Sequence, residues 1–272
     1  MKKFAVFDID GTLIRWQLYH AVVNRLAATG KLGDSSYDQI HAARFKWKER
    51  ARSFRSYERV LMDKFVPLLS DLSASDYDRV IRDIWDEYRD QTYVYTRDLI
   101  KELKEQGYFL MAISGSPREI VALLAEYYGF DEFVACEFER RGDGFTGQVI
   151  TPVLDKDKTL GKLVDEHGLT LAGSVAVGDS ASDIAMLQMV ERPIAFNPDQ
   201  ELFAAARRRG WPIVVERKDV VYNLSCRNGS YGEPSSCRNG SCKDSSQHLC
   251  KDGACKNGVS GDGKGRPRYE LE

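Results

Sequence analysis

The chain has 272 residues, which is long enough for one core domain together with an insertion or a tail. Its formal net charge of −2 provides no general attraction for nucleic acid, and no apolar run approaches the roughly 20 residues of a membrane-spanning helix. The first residues lead directly into a predicted strand without the apolar core of a signal peptide. We therefore expect a cytoplasmic protein with no nucleic-acid or membrane partner.

An apolar run that begins at Phe4 predicts the first strand, and it stops at Asp8 and Asp10, ahead of a Gly11-Thr12 turn. Residues i and i+2 of a strand point to the same side, so both carboxylates can face one site at the carboxyl end of the strand, where open α/β sheets bind ligands. Two close carboxylates repel each other unless a cation or a shared proton lies between them, which favours Mg²⁺. An ordinary turn is the alternative, but a turn does not require two aligned acids.

A long segment separates the first strand from the next one, far longer than the roughly 10–12 residues that a simple crossover needs. Residues 17–92 are rich in aromatic residues and mostly helical in pattern, and we interpret them as an inserted helical cap above the strand ends. Within this segment, residues 44–59 are strongly basic. The basic stretch either attracts an anionic substrate or forms an ordinary solvated helix face, which is the more common situation.

Four further short apolar runs predict buried parallel strands, at residues 109–113, 174–177, 193–196 and 213–215. Helical patterns lie between or beside them, at residues 97–106, 117–128, 159–167, 183–189 and 201–209. Strands that alternate with helices predict an α/β fold with a doubly wound, mostly parallel, Rossmann-like sheet. We assign residues 1–16 and 93–222 to this core.

Two polar clusters follow predicted strands. Ser114 and Gly115 precede a predicted helix, and a hydroxyl with backbone N–H groups at a helix N-terminus can hold phosphate, although the same residues can simply cap the helix. Lys156 lies in a charged stretch ahead of the helix predicted from residue 159, where a lysine can neutralise phosphoryl oxygens. A solvated loop is the alternative for this stretch.

A third cluster, Gly178-Asp179-Ser180-Ala181-Ser182-Asp183, closes the strand predicted at residues 174–177 and opens the next helix. Asp179 at the strand end can complete a metal site, with Asp183 supporting it from one helical turn further along. Helix capping by Asp179 or Ser180 is compatible with that role.

These clusters, taken in order, resemble the motifs of the haloacid dehalogenase (HAD) superfamily phosphatases: Asp8-Ile9-Asp10-Gly11-Thr12, Ser114-Gly115, Lys156 and Gly178-Asp179-x₃-Asp183. The position of the insertion resembles the C1-capped subfamily that includes the phosphoserine phosphatases. The segment 193–199 resembles the subfamily IB hydrolases. The similarity extends over residues 4–220.

The resemblance implies that Asp8 attacks phosphorus and forms an aspartyl-phosphate. It implies that Asp10 protonates the leaving alkoxide and then deprotonates the water that hydrolyses the intermediate. Mg²⁺ is implied as the cofactor, held by Asp8, the backbone carbonyl of Asp10, and Asp179, with Asp183 behind them.

The same resemblance implies which residues surround the phosphoryl group. Ser114, Gly115 and Lys156 bind its oxygens, and Thr12 shapes the loop by hydrogen bonding. Lys156 meets the family's spacing to the following helix and is preferred to Lys158.

The implied function is a Mg²⁺-dependent phosphomonoester hydrolase that acts on a small phosphorylated metabolite. A phosphotransferase or phosphomutase that passes the phosphoryl group to another hydroxyl is the alternative enzyme. Phosphoserine phosphatases carry a glutamate and an arginine that grip the substrate's amino and carboxylate groups, whereas this chain aligns Gln17 and Phe65 there. Phosphoserine is therefore disfavoured, although Arg55 or Arg59 could compensate.

The C-terminal segment, residues 223–272, contains five of the six cysteines and is rich in Gly and Ser. Such a composition does not supply enough apolar surface for a folded core, so we expect a disordered tail. Two Cys-x₄-Cys pairs keep a zinc site conceivable. A metal-binding module centred on this tail is the alternative from a different class of function.

Overall fold

The computed structural model describes residues 1–30, 34–49, 51–52, 54–151, 155–218 and 220–224. The predictions for the cysteine-rich segment therefore lie outside the described residues, apart from its first two positions. None of the helices within the described ranges has both the length and the apolar composition that crossing a membrane requires.

The strands of the described chain form a single sheet in the order β4-β3-β2-β1-β5-β6-β7-β8. Their bounds are Lys2–Phe7 (β1), Phe109–Pro117 (β2), Glu132–Arg141 (β3), Gly144–Ile150 (β4), Leu169–Gly178 (β5), Arg192–Phe196 (β6), Ile213–Arg217 (β7) and Val220–Asn223 (β8). The inner strands pair in parallel, and β4 and β8 pair antiparallel with their neighbours at the two edges. The predicted mostly parallel α/β sheet is confirmed.

Helices connect the strands and cover both faces of the sheet. Their bounds are Leu18–Ala28 (α1), Asp34–Lys48 (α2), Phe54–Phe65 (α3), Ala74–Tyr88 (α4), Val94–Glu105 (α5), Arg118–Tyr128 (α6), Lys156–Glu166 (α7), Ile184–Met189 (α8) and Gln200–Arg209 (α9). Short 3₁₀ segments at Val66–Asp71 and Ala181–Asp183 precede α4 and α8. We refer to residues 17–92, which contain α1 to α4, as the helical insertion.

The sequence interpretation missed β3, β4 and β8. It searched for continuous apolar runs, which are typical of strands buried on both faces. β3 instead alternates, with Cys136 and Phe138 buried and Glu137 and Glu139 exposed, as expected for a strand near a sheet edge. The predicted start of α7 at residue 159 was also wrong, because the helix begins at Lys156.

β1 lies at the centre of the sheet, and its alternating side chains enter two separate apolar layers. Ala5 and Phe7 pack with the helical insertion, α5 and α6, whereas Phe4 and Val6 pack with α7, α8 and α9. All four side chains are fully buried. This packing holds β1 in place, and the chain stays buried beyond the end of the strand, since Asp8 is 6% exposed and Ile9 is fully buried.

Candidate active site

Asp8 follows β1 at the carboxyl edge of the sheet. Its backbone N–H donates to the Val177 carbonyl at 3.0 Å, so β5 positions the peptide from which the carboxylate projects. The turn that follows requires glycine at position 11, where φ is +81° and a Cβ atom would come within 2.1 Å of the Asp179 carboxylate. Glycine at this position therefore lets the loop after β1 approach Asp179, which directly follows β5.

Lys156 is the buried cation of the site. It occupies the first turn of α7, and its Nζ donates to Asp8 Oδ1 at 2.7 Å and to Asp183 Oδ1 at 2.6 Å. Burial opposes the charge of this lysine, but the two carboxylates outweigh burial and raise the pKa of Lys156 well above its usual range. Lys158, the other lysine considered from the sequence, has 76% of its side chain exposed and pairs with Asp155 instead.

Asp8, Asp179 and Asp183 form an acidic cluster in which each residue offers one carboxylate oxygen, all within 4.8 Å of one another. Burial, partly opposed by Lys156, raises the pKa of Asp8 to about 7. Burial and then the negative charges of Asp8 and Asp183 raise the pKa of Asp179 as well. Three oxygen donors near one lysine favour a hard divalent cation, so the residues present fit Mg²⁺.

Asp183 joins the cluster, although the resemblance implied only a supporting position. Both of its oxygens already have partners, since Oδ1 accepts from Lys156 and Oδ2 accepts from the backbone N–H groups of Asp179 and Ser180 at 3.1 and 3.0 Å. Gly178 leaves room for this arrangement, because a Cβ atom there would lie 2.5 Å from the Asp183 side chain. Its carboxylate is therefore well placed to fix Lys156 and the loop that carries Asp179.

Asp10 points to a different part of the site. Its Oδ1 accepts from the backbone N–H of Leu18, the first residue of α1, at 2.5 Å, and its Oδ2 accepts from Ser114 Oγ at 3.0 Å. Burial raises the pKa of Asp10, and hydrogen bonds from Ser116, Leu18 and Ser114 oppose the rise. The Ser114 hydroxyl also accepts from the Ser116 N–H at 3.0 Å, which joins the end of β2 to the same network. Asp10 thus lies where the sheet meets the helical insertion.

Thr12 is fully buried beside the two aspartates. Its backbone carbonyl accepts from Thr96 Oγ1 at 2.8 Å, which links the loop to α5. Its own hydroxyl has no hydrogen-bond partner among the described residues. The contact to the loop therefore comes from the Thr12 backbone, and the implied role of its side chain stays a prediction.

A cavity of about 280 Å³ opens beside the acidic cluster and reaches the helical insertion. Gly11 and Asp179 line it on the side of the sheet, and Gln17 lines it on the side of the insertion. Phe65, expected in place of the substrate-gripping arginine of phosphoserine phosphatases, is fully buried against Tyr19 and Phe138. Arg59 is exposed and does not line the cavity. The Arg55 side chain lies outside the described residues.

Sequence reasoning missed Glu216 and Arg15, which brace one wall of the cavity. Glu216 is buried, forms an ion pair with Arg15, and accepts from the backbone N–H groups of Val94 and Tyr95 at 3.1 and 2.8 Å. Arg15 lies over the Tyr93 ring at 4.8 Å. No sequence motif indicates this contact, because Arg15 and Glu216 are 201 positions apart.

His20 is another lining residue that the sequence interpretation missed. Its Nε2 accepts from Asn24 Nδ2 at 3.0 Å, and its Nδ1 contacts the Tyr57 hydroxyl. Burial, followed by the positive charges of Arg44 and Lys48 and by the nearby His41, lowers the pKa of His20 to about 3. The imidazole is therefore neutral in the folded protein near pH 7.

The depressed pKa of His20 predicts acid sensitivity. Between the unfolded value of about 6.5 and the folded value, the unfolded chain binds a proton that the folded chain does not. Stability is therefore lost as pH falls below about 6.5, by at most about 1.4 kcal/mol per pH unit. We expect His20→Gln to show a shallower decline of melting temperature between pH 7 and pH 4 than the parent protein. Equal slopes would contradict this assignment.

Comparison with known proteins places this geometry in context. The family model for haloacid dehalogenase-like hydrolases matches residues 5–188. A histidinol-phosphatase of Neisseria meningitidis is 28% identical over 79% of this chain and 99% of its own length. The phosphoserine phosphatase SerB1 of Mycobacterium tuberculosis is 29% identical over 77% of this chain and 69% of its own length. A solved structure of a phospho-aspartyl intermediate analogue of phosphoserine phosphatase is 26% identical to this chain, with a TM-score of 0.60. The match covers 80% of this chain and 95% of the solved chain.

Proposed function

The chain belongs to the haloacid dehalogenase-like hydrolase family, and from that premise we propose that it is a Mg²⁺-dependent phosphatase that hydrolyses a small phosphomonoester. The observation that carries the proposal is the buried group formed by Asp8, Lys156, Asp179 and Asp183 at the carboxyl ends of β1 and β5. It combines a nucleophilic carboxylate, a fixed cation and oxygen donors for a metal, which are the components that phosphoryl transfer needs.

Asp8 is the nucleophile in this proposal. Lys156 holds Oδ1 of Asp8, so we assign the attack on phosphorus to Oδ2. The new O–P bond forms as the bond to the leaving alkoxide breaks, which produces an aspartyl-phosphate. Asp8, Asp179 and the backbone carbonyl of Asp10 would hold Mg²⁺, which would supply positive charge to the phosphoryl oxygens. Lys156 supplies a second positive charge, fixed in place by Asp183.

Asp10 is the proton carrier. Its carboxyl lies between the end of β2 and the start of α1, and its pKa is raised by burial. A raised pKa keeps a carboxyl protonated at a higher pH, which suits donation of a proton to the departing alkoxide. The resulting carboxylate then takes a proton from the water that attacks the aspartyl-phosphate. Ser114 orients Asp10 by donating to Oδ2. We also assign Ser114 and the Gly115 backbone to the phosphoryl oxygens, with Thr12 shaping the loop.

The helical insertion acts as the cap in this proposal, because the cavity next to the acidic cluster is lined partly by its residues. The volume of about 280 Å³ lies just below the roughly 300–1,000 Å³ typical of ligand pockets, which favours a small metabolite. Phosphoserine and histidinol phosphate are the candidates suggested by the names of the relatives. Gln17 lines the cavity at the position where phosphoserine phosphatases carry a glutamate. A neutral glutamine offers no negative charge to the ammonium group of phosphoserine, which disfavours that substrate.

The test is a panel of small phosphomonoesters, incubated with the full chain in the presence of Mg²⁺ or EDTA. We expect at least one to release inorganic phosphate and alcohol in equal amounts, with the activity lost in EDTA and restored by excess Mg²⁺. Release of alcohol without phosphate, accompanied by a new phosphate ester, would assign a phosphotransferase instead. Absence of turnover across the panel and with a generic aryl phosphate would overturn the proposal.

A further inference from the structure

We propose that the cavity selects a leaving group that combines a planar ring with an anionic substituent and that it rejects an ammonium group in that place. This inference rests on the proposed phosphatase function and specifies its substrate class. It depends on the charges and rings of one cavity wall, which Trp16 forms together with five residues of the helical insertion. We call this set the insertion wall: Trp16, His20, Arg44, Trp47, Lys48 and Tyr57.

The charge of the insertion wall is positive. Arg44 and Lys48 lie one helical turn apart on α2, and neither takes part in an ion pair among the described residues. The third cation of the cavity, Arg15, is already neutralised by Glu216. The one carboxylate among the lining residues is Asp179, which belongs to the acidic cluster. The positive charge that remains, away from the phosphoryl site, attracts an anion.

The position of Arg44 is fixed by an aromatic neighbour. Its guanidinium lies over the Trp16 ring at 5.2 Å from the centroid, and both side chains are partly buried. A cation–π contact of this kind leaves the edge of the guanidinium available for hydrogen bonds in its plane. A carboxylate matches that edge bidentately, whereas an ammonium group would be repelled.

Rings form the rest of the insertion wall. Trp47 and Tyr57 stack with their centroids 5.7 Å apart and their planes inclined by 10°, and Tyr57 also contacts His20. Because Trp47 is only partly buried, part of its surface remains accessible beside the cavity. Aromatic walls gain most from a ligand that presents a flat apolar face, since offset stacking adds to the burial of apolar area. An acyclic leaving group would leave this surface uncovered.

Matched aryl phosphates separate charge from shape. We compare 4-carboxyphenyl, 4-methylphenyl and 4-(aminomethyl)phenyl phosphate, and measure kcat/KM for the parent protein and for Arg44→Gln. Ratios between proteins cancel the intrinsic reactivity of each leaving group. We expect Arg44→Gln to lower the ratio of kcat/KM for 4-carboxyphenyl phosphate to kcat/KM for 4-methylphenyl phosphate by about 10- to 100-fold. The same variant should raise the relative kcat/KM for 4-(aminomethyl)phenyl phosphate.

Lys46→Gln is the matched control, because Lys46 lies on the same helix, is exposed and does not line the cavity. It should leave all three ratios unchanged. For the ring, we expect Trp47→Leu to raise KM for the 4-carboxyphenyl ester more than for phosphoglycolate, an acyclic anionic ester.

The outcomes distinguish this inference from the function on which it rests. If the parent protein hydrolyses none of the esters, the proposed phosphatase function fails. If it hydrolyses them and the carboxylate preference is the same in Arg44→Gln as in Lys46→Gln, the phosphatase stands and the anionic selectivity is wrong. If Trp47→Leu changes KM equally for the aryl and the acyclic esters, the cavity does not select a planar ring, and that part of the proposal is wrong.

Discussion

Asp8→Asn abolishes phosphate release while the protein stays folded: we expect kcat/KM to fall on the order of 10⁴-fold or more, the size of effect seen when a covalent nucleophile is removed. Asparagine has the shape of aspartate but lacks the negatively charged oxygen that attacks phosphorus. Asp8 is 6% exposed, and burial raises the pKa of its carboxyl to about 7, so a neutral side chain of the same size is readily accommodated. The loss therefore reports chemistry and not unfolding.

Two measurements accompany this variant. Thermal melting should give a transition close to that of the parent protein, because Lys156 retains its contact with Asp183. Rapid acid quenching followed by mass spectrometry should detect one added phosphoryl group on the parent chain and none on Asp8→Asn. Asp165→Asn is the matched control, since that aspartate is exposed on α7 away from the cluster. If Asp8→Asn shows Mg²⁺-dependent turnover at the parent rate, Asp8 is not the nucleophile.

The elements that sequence predicted correctly are those whose signal is local. Residues Phe4 to Phe7 of β1 are a continuous apolar run buried on both faces, and an Asp-x-Asp-Gly-Thr turn follows at the carboxyl end of the strand. The apolar runs predicted at residues 109–113, 174–177, 193–196 and 213–215 likewise lie within β2, β5, β6 and β7, although β2 continues to Pro117 and β5 begins earlier, at Leu169. The order of the acidic and hydroxyl clusters along the chain follows from the alternation of strands and helices, so their meeting at one edge of the sheet could be expected.

The features that sequence did not predict depend on contacts between distant segments. The ion pair of Arg15 with Glu216 joins positions that share no motif, and the burial of Phe65 depends on how α3 packs against β3. The basic stretch 44–59 reads as one uniform segment, yet Arg44 and Lys48 line the cavity whereas Lys46 and Arg59 are exposed elsewhere. Helical periodicity separates these faces only once the neighbours of α2 and α3 are known.

Replacement of Lys156, the buried lysine of the site, is the second change for which we expect a large effect on activity. We expect Lys156→Met to lower kcat/KM by about 10²- to 10³-fold, the usual cost of removing one group that stabilises charge in the transition state. The variant also leaves the Asp8 and Asp183 carboxylates without their shared cation. In EDTA we therefore expect the free energy of unfolding to fall by about 3 kcal/mol, as found when one partner of a buried ion pair is removed.

Lys158→Met provides the contrast, because the two lysines lie two positions apart on α7 and differ mainly in burial. Lys158 is exposed and its ion pair with Asp155 lies in solvent, where such pairs contribute little. We expect neither activity nor melting temperature to change in this variant. Added Mg²⁺ should raise the melting temperature of Lys156→Met more than that of Lys158→Met, because a divalent cation can replace part of the missing positive charge among the carboxylates. If both variants lose activity equally, the phosphoryl oxygens are not held by Lys156 alone, and the assignment based on its two short contacts is wrong.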